Sequence, residues 1–352
     1  MPIAGSINNL YKAELTQEDA ACASSKSKME VFYTVQNKLL KMITKRIGQS
    51  IMVIFIVTLL VFFLMQLVPG DPIVNFLGAN ATEEQIAHYT KLFGYDQPIL
   101  VQYVSWIKGL FRGEMGRSVS LQKEISEILF QRLSVTLSIV LPAFIFAVIL
   151  GVILGVVAAK KRGTKIDSAI SFFANIGMSM PMFWFGMVLI LVFASKLGVL
   201  PTSGYSPMKD GIGKWLSHLV LPVTVLAMGP LAQFTRQTRS SMLEVIRQDY
   251  ITTARAKGLG QRAITFQHQL RNALIPIITV MGVNLGGMIG GTVLVESIFV
   301  VPGLGNLMIT SIKNKDFMIV ENGVLIIAIA VAICNLAVDI LYGIVDPRIR
   351  NN

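Results

Sequence analysis

From Leu133 to Ala159 the chain reads LSVTLSIVLPAFIFAVILGVILGVVAA, 27 residues without a single Asp, Glu, Lys or Arg. A bilayer core of about 30 Å needs roughly 20 helical residues, so this stretch is long enough to cross one. Working outward, further charge-free stretches occupy 47–70, 168–195, 215–235 and 272–295, each of 21 residues or more. A sixth, 322–338, is only 17 residues long. It continues through Asp339 as Ile340-Leu341-Tyr342-Gly343-Ile344-Val345, which gives a span with one acidic residue near its end. The sequence therefore predicts an all-α membrane protein with six transmembrane helices. Composition agrees: 53% of the residues are hydrophobic and 14% charged, with mean hydropathy +0.63. Soluble domains carry about 25% charged residues, so this chain lacks the charge to cover a soluble surface.

Orientation follows from the basic residues. With the N-terminus inside, 20 of the 31 Lys and Arg fall on the cytoplasmic side and 11 outside. The short loop Lys160-Lys161-Arg162-Gly163-Thr164-Lys165 decides the matter, because positive charge in short loops sets topology. Both termini are expected in the cytoplasm. The net charge of +11 is then a topology signal, and no nucleic-acid partner is needed to explain it.

The chain divides into a polar N-terminal tail (1–42), a first helix with a long extracytoplasmic segment (43–130), a unit holding the remaining five helices (131–346) and a short C-terminal tail (347–352). The tail has no apolar core followed by a small-residue cleavage site, so the first helix is expected to act as an uncleaved anchor. Cys22 lies in that tail and Cys334 inside the sixth helix, and no disulfide framework is expected.

Two connecting segments carry structure of their own. In 71–132, Thr82-Glu83-Glu84-Gln85 has the form of a helix capping box whose helix ends at Gly94. A second helix opens at Pro98 and ends before Gly113. Two readings fit this segment: an ornament packed on the spans, or a cap that meets a substrate-delivering partner. The loop at about 240–271 mixes Arg247, Arg255, Lys257 and Arg262 with apolar residues at helical spacing. A short helix over Asp249–Lys257 should stop at Gly258-Leu259-Gly260, and a second, from about Gln261, should run into the fifth span. Such a helix can press on a soluble partner, or lie on anionic lipid.

Within the spans, Pro181 and Pro230 remove backbone donors and can kink their helices. Gly282, Gly286 and Gly290, with Gly287 and Gly291, form small-residue steps suited to close helix packing or to a hinge. Ionisable residues at the span borders reduce to Glu296 and Asp339, where a structural or snorkelling role is expected. There is no phosphate-binding glycine loop, no His-Glu-x-x-His and no Gly-x-Ser-x-Gly. His88, His218 and His268 are assigned to different regions, so no metal site is expected. The chain reads as a membrane pathway without an energy source or enzyme chemistry of its own.

Several segments in order resemble one family. They are Leu67-Val68-Pro69-Gly70-Asp71-Pro72, Phe93-Gly94-Tyr95-Asp96-Gln97-Pro98, Gly113-Glu114-Met115-Gly116-Arg117-Ser118 and Arg132-Leu133-Ser134-Val135-Thr136-Leu137. Next come Asp249-Tyr250-Ile251-Thr252-Thr253-Ala254-Arg255-Ala256-Lys257-Gly258-Leu259 and Leu270-Arg271-Asn272-Ala273-Leu274-Ile275-Pro276. Glu296-Ser297-Ile298-Phe299, Pro302-Gly303-Leu304-Gly305 and Tyr342-Gly343-Ile344-Val345-Asp346-Pro347-Arg348 complete the set. The chain is similar, from about residue 43 to 350, to the inner-membrane permease subunits of binding-protein-dependent ABC importers, in their dipeptide, oligopeptide and nickel branch.

The resemblance implies the type I ABC importer permease fold in a bacterial or archaeal cytoplasmic membrane. It makes Thr252, Thr253, Ala254, Arg255, Ala256, Lys257, Gly258 and Leu259 the segment that couples to a cytoplasmic ATPase. Small Ala254 and Ala256 would let this helix enter a partner's cleft. Thr252 and Thr253 stand where the wider class has Glu and Ala, so no role needing that acid carries over. The implied partners are two ATPase subunits holding ATP and Mg, a second related permease completing a heterodimeric pore, and an extracytoplasmic substrate-binding protein. The expected cargo is short peptides, with nickel, a metal chelate or glutathione as alternatives and an ion-coupled secondary transporter as the contrasting class. Asn175, Ser179, Gln233 and Asn284 are candidate pathway residues, since amides both donate and accept hydrogen bonds. Packing between helices is the competing role for each.

Overall fold

In the computed structural model the charge-free stretches 133–159, 215–235, 272–295 and 322–338 each lie inside one longer helix. The structure describes residues 41, 43–68, 72–78, 81–92, 94–118 and 120–345. Most of the N-terminal tail with Cys22, the C-terminal tail, Pro69-Gly70-Asp71, Phe93 and Asp346-Pro347-Arg348 lie outside the described residues. The first helix, α1 (Ile43–Gln66), is followed by three shorter ones: α2 (Pro72–Leu77), α3 (Glu83–Leu92) and α4 (Ile99–Arg112). The body is built from α5 (Ile125–Lys160), α6 (Lys165–Ser179), α7 (Met182–Lys196), α8 (Ile212–Ile246), α9 (Asp249–Ala256) and α10 (Gln261–Ile298). Helices α11 (Leu304–Lys313) and α12 (Phe317–Val345) close the chain.

Among the described residues, five single helices are long and apolar enough to cross a membrane: α1, α5, α8, α10 and α12. The third expected span is a broken pair, α6 and α7, bent by 107°. The break falls at Met180-Pro181, where Met180 has an extended backbone (ψ 125°). A proline forces the preceding residue out of helical geometry and brings no N–H of its own, so the helix stops rather than bends. Pro230 differs: α8 runs through Pro222 and Pro230 as one helix. At 35 residues α8 is about 52 Å long, well beyond a bilayer core. Absence of charge marks only the apolar centre of such a helix, whose ends continue into water with polar residues.

The capping box of α3 forms as the sequence predicts. The Gln85 amide N–H donates to Thr82 Oγ1 (3.3 Å), and the Thr82 N–H donates to Gln85 Oε1 (3.1 Å). Gly113, in the left-handed region at φ 80°, ends α4. Helix α4 leans on α1 through Tyr103, whose hydroxyl lies 3.0 Å from Thr58 Oγ1 and whose ring meets Phe62 edge-on. Through α4, the segment between α1 and α5 is thus packed on a span. The rest of α1 turns Ile51, Met52, Val53 and Leu60 outward, as a lipid-facing helix does.

The core lies where α5 packs along α8, with Ile139, Val140, Ala143 and Ala147 against Val225, Leu226 and Phe234. Gly151 and Gly155 of α5 sit directly on α8 at Phe234 and Thr238, a close approach the sequence reading passed over. Gly282 and Gly286 do serve packing: a Cβ at either would come within 3.2–3.3 Å of Val338 or Val331 on α12. Gly287 and Gly290 face open space instead.

Helix α11 was not legible as an element. Ten residues long, it buries Leu304, Leu307, Met308 and Ser311 against α5 and α12. Their i, i+3, i+4, i+7 spacing was the available signal.

Candidate coupling segment and pathway

The segment after α8 is shaped by local chemistry. The backbone turns at Arg247, becomes extended at Gln248 (ψ 143°), and then forms α9. The end of α9 is a Schellman motif. The Leu259 N–H donates to the Ala254 carbonyl (3.3 Å) and the Gly258 N–H to the Arg255 carbonyl (2.9 Å), with Gly258 at φ +75°. Only glycine takes that conformation without a Cβ penalty, so Gly258 sets where the helix ends.

The base of α9 is apolar. Ile251 (0% exposed) and Ala254 (6%) pack on Ile264 and Val245, which holds the helix against the start of α10. Thr252, Thr253, Arg255, Ala256, Lys257, Gly258 and Leu259 are exposed. Seven of the eight candidate coupling residues thus form one presented surface. Ala254 departs from the expectation: its small side chain serves packing within the chain and is turned away from any partner. Beyond α9, α10 begins with a π-helical stretch, Ile264–Leu270, before regular helix resumes at Arg271.

The four candidate pathway residues do not meet. Asn175 and Ser179 stand one turn apart on the exposed face of α6, opposite the buried Ala174 and Gly177. Gln233 is half-buried on α8. Asn284, half-buried on α10, donates to the Val280 carbonyl of its own helix (2.8 Å), a local satisfaction that asks for no ligand. Among the described residues no group of three His, Cys, Asp or Glu is placed to hold a metal ion.

Buried polar networks are what the residue-by-residue reading missed. Glu296 is fully buried rather than snorkelling. Its carboxyl accepts from Thr136 Oγ1 (2.6 Å) and from the Asn306 N–H (2.9 Å), and Thr136 Oγ1 accepts from the Leu304 N–H (2.8 Å). Arg132 Nη1 donates to the Pro302 carbonyl (3.0 Å). Gly303 and Gly305 lie against Glu296, where a Cβ has no room. Three motifs noted separately, at 132–137, 296–299 and 302–305, are therefore one structural unit. Likewise Ser118, from the motif 113–118, donates to Asp316 Oδ2 (2.7 Å), which also accepts from Ser120.

At the other end of the bundle, Arg239 of α8 binds Asp167 of α6 through two nitrogens (2.6 and 2.9 Å), and the Gly163 N–H donates to the same carboxylate (3.0 Å). Asp339 pairs with Arg46 (3.4 Å), consistent with the structural role expected of it.

The broken third span, the long α8 and the exposed face of α9 together define a helical membrane protein of the transport-subunit class. Residues 151–351 match the family described as "Binding-protein-dependent transport system inner membrane component", and residues 39–140 match its N-terminal counterpart. The chain belongs to this family. It is 40% identical over 308 residues to a probable peptide ABC transporter permease of Sinorhizobium fredii, covering 88% of this chain and 98% of that protein. It is 39% identical to the di/tripeptide transport permease DppB of Pseudomonas aeruginosa, covering 89% of this chain and 99% of that protein. The oligopeptide transport permease AppB of Bacillus subtilis is also 39% identical, with 88% and 98% covered. Among solved structures, the MetNI methionine ABC transporter in its inward-facing conformation matches with TM-score 0.51 at 20% identity, covering 62% of this chain and 96% of that chain. The fold is that of a type I ABC importer permease.

Proposed function

We propose that this chain is the permease subunit of an ATP-driven importer of short peptides. A binding protein delivers cargo from outside, two ATPase subunits close on ATP and Mg, and α9 transmits that motion to the spans. A second, related permease completes the pore. The observation that carries this reading is the presented face of α9, ended by Gly258 and seated on Ile251 and Ala254, in a chain similar over most of its length to peptide permeases. A rigid base and an exposed face are what a force-transmitting contact requires. Residues 131–346 form the translocating unit in this reading, and 43–130 supply an anchor and an outer cap.

Both termini and the loop 160–165 face the cytoplasm in this proposal, following the distribution of basic residues. Gly163→Cys should react with an impermeant thiol reagent only after permeabilisation, and Lys209→Cys in intact cells; labelling of Gly163→Cys in intact cells would reverse the orientation. Cargo is tested by uptake of labelled di- to pentapeptides and radioactive nickel, in parallel, on deleting this gene from cells that have no other peptide importer. Peptide uptake should be lost and nickel uptake kept. Loss of nickel uptake alone would overturn the peptide assignment.

A further inference from the structure

At the end of the bundle that carries α9, a cleft of about 230 Å³ opens between the end of α5, the end of α8, α9 and the start of α10. Its lining is of two kinds. Ala159, Leu243 and Ile246 contribute apolar surface, and Lys160, Arg162, Arg247 and Arg255 contribute four cations. No acidic residue lines it. Asp167, the buried acid of this region, is already engaged by Arg239 and the Gly163 N–H. Four cations around one small space repel each other unless an anion joins them.

Gln269 adds a neutral donor to this lining. It is 1% exposed and lines the cleft. Its neighbours Thr265 and Asn272 both bond to their own backbone (2.9 and 2.8 Å). A side-chain amide in the wall of a basic cleft can donate its NH2 hydrogens to a bound anion. Gln269 also lies in the π-helical stretch of α10, an irregularity that recurs at functional sites.

We propose that this cleft is a binding site for the phosphate of an anionic phospholipid. Lys160 is the first charged residue after 27 uncharged ones, which places it at headgroup level. The four cations and the Gln269 amide would take the phosphate oxygens, and Ala159, Leu243 and Ile246 the glycerol end. A purely soluble phosphate would have no use for that apolar surface. Because Arg255 stands on α9 while Lys160 ends α5 and Arg162 follows it, the bound headgroup ties α9 to the body of the membrane domain. The inference depends neither on peptide cargo nor on orientation.

The test is native mass spectrometry of the full-length, delipidated chain titrated with phosphatidylglycerol, phosphatidylcholine or inorganic phosphate. The wild type should retain one phosphatidylglycerol in preference to phosphatidylcholine. Each basic residue near a lipid surface contributes a factor of about five, so Lys160→Gln with Arg162→Gln should weaken retention roughly thirty-fold. Lys161→Gln with Lys165→Gln, which removes equal charge from the same turn outside the cleft, should change it less than about threefold. The charge-keeping pair Lys160→Arg with Arg162→Lys should retain the lipid. Equal losses in the two glutamine pairs, or no preference between the lipids, would overturn the site. Tight inorganic phosphate with no retained phosphatidylglycerol would overturn the lipid assignment.

Discussion

Replacing Thr136 by Val removes one oxygen and almost no volume, which isolates the hydrogen bonds of the Glu296 network. The Thr136 hydroxyl donates to Glu296 Oε1 at 2.6 Å and accepts from the Leu304 N–H at 2.8 Å, and both side chains are buried. A hydrogen bond to a carboxylate contributes about 1.5–3 kcal/mol, and a buried N–H left without its acceptor costs about 1–3 kcal/mol more. The new methyl returns about 0.8 kcal/mol by burial. The net loss is about 2–5 kcal/mol, which for a chain of 352 residues lowers the melting midpoint by roughly 3–7 °C. The assay is thermal unfolding of the purified protein in detergent, followed by tryptophan fluorescence at one fixed scan rate. Thr136→Ser keeps the hydroxyl and loses one buried methyl, so it should cost only about 1 kcal/mol. With Glu296→Gln, the double variant should lose less than the two single losses together, because the residues share one network. A Thr136→Val protein melting within about 1 °C of wild type would refute the network as a source of stability, as would a Thr136→Ser protein falling equally far.

Three further outcomes are expected. Arg239→Gln removes both bonds to Asp167, whose side chain is 7% exposed against 31% for Arg239, and should lower stability by about 1.5–3 kcal/mol in the same melting assay. Adding Asp167→Asn should cost little more. Gly258→Val places a β-branched residue at φ +75°, at a cost of about 1–2 kcal/mol confined to the end of α9. That subunit should insert normally yet fail to co-purify with its ATPase partner, and normal transport would count against α9 as the coupling element. Gly305→Ala drives a Cβ to 2.6 Å from the Val293 backbone and should destabilise by about 1–3 kcal/mol, measured as faster proteolysis of purified protein.

The sequence by itself determined the features whose causes are contiguous. Charge-free runs mark the spans because a bilayer admits helices and excludes charge over a set length. The capping box at Thr82, the stops at Gly113 and Gly258, and the helix over Asp249–Ala256 followed from residues within one turn of each other. Order and spacing of motifs were enough to indicate the family. The tertiary structure decided what depends on how helices rotate and cross. Thr136 and Glu296 are 160 positions apart, and Asp167 and Arg239 are 72 apart. Nothing local to either member of a pair specifies the other. The same holds for Ala254, whose inward face is set by the position of Ile264, and for Gly287 and Gly290, which carry the spacing of packing glycines yet meet no neighbour. Pro181 was legible as a disturbance, but the 107° between α6 and α7 was not. A proline dictates that the helix stops, while the direction in which the chain resumes is chosen by the helices it then packs against.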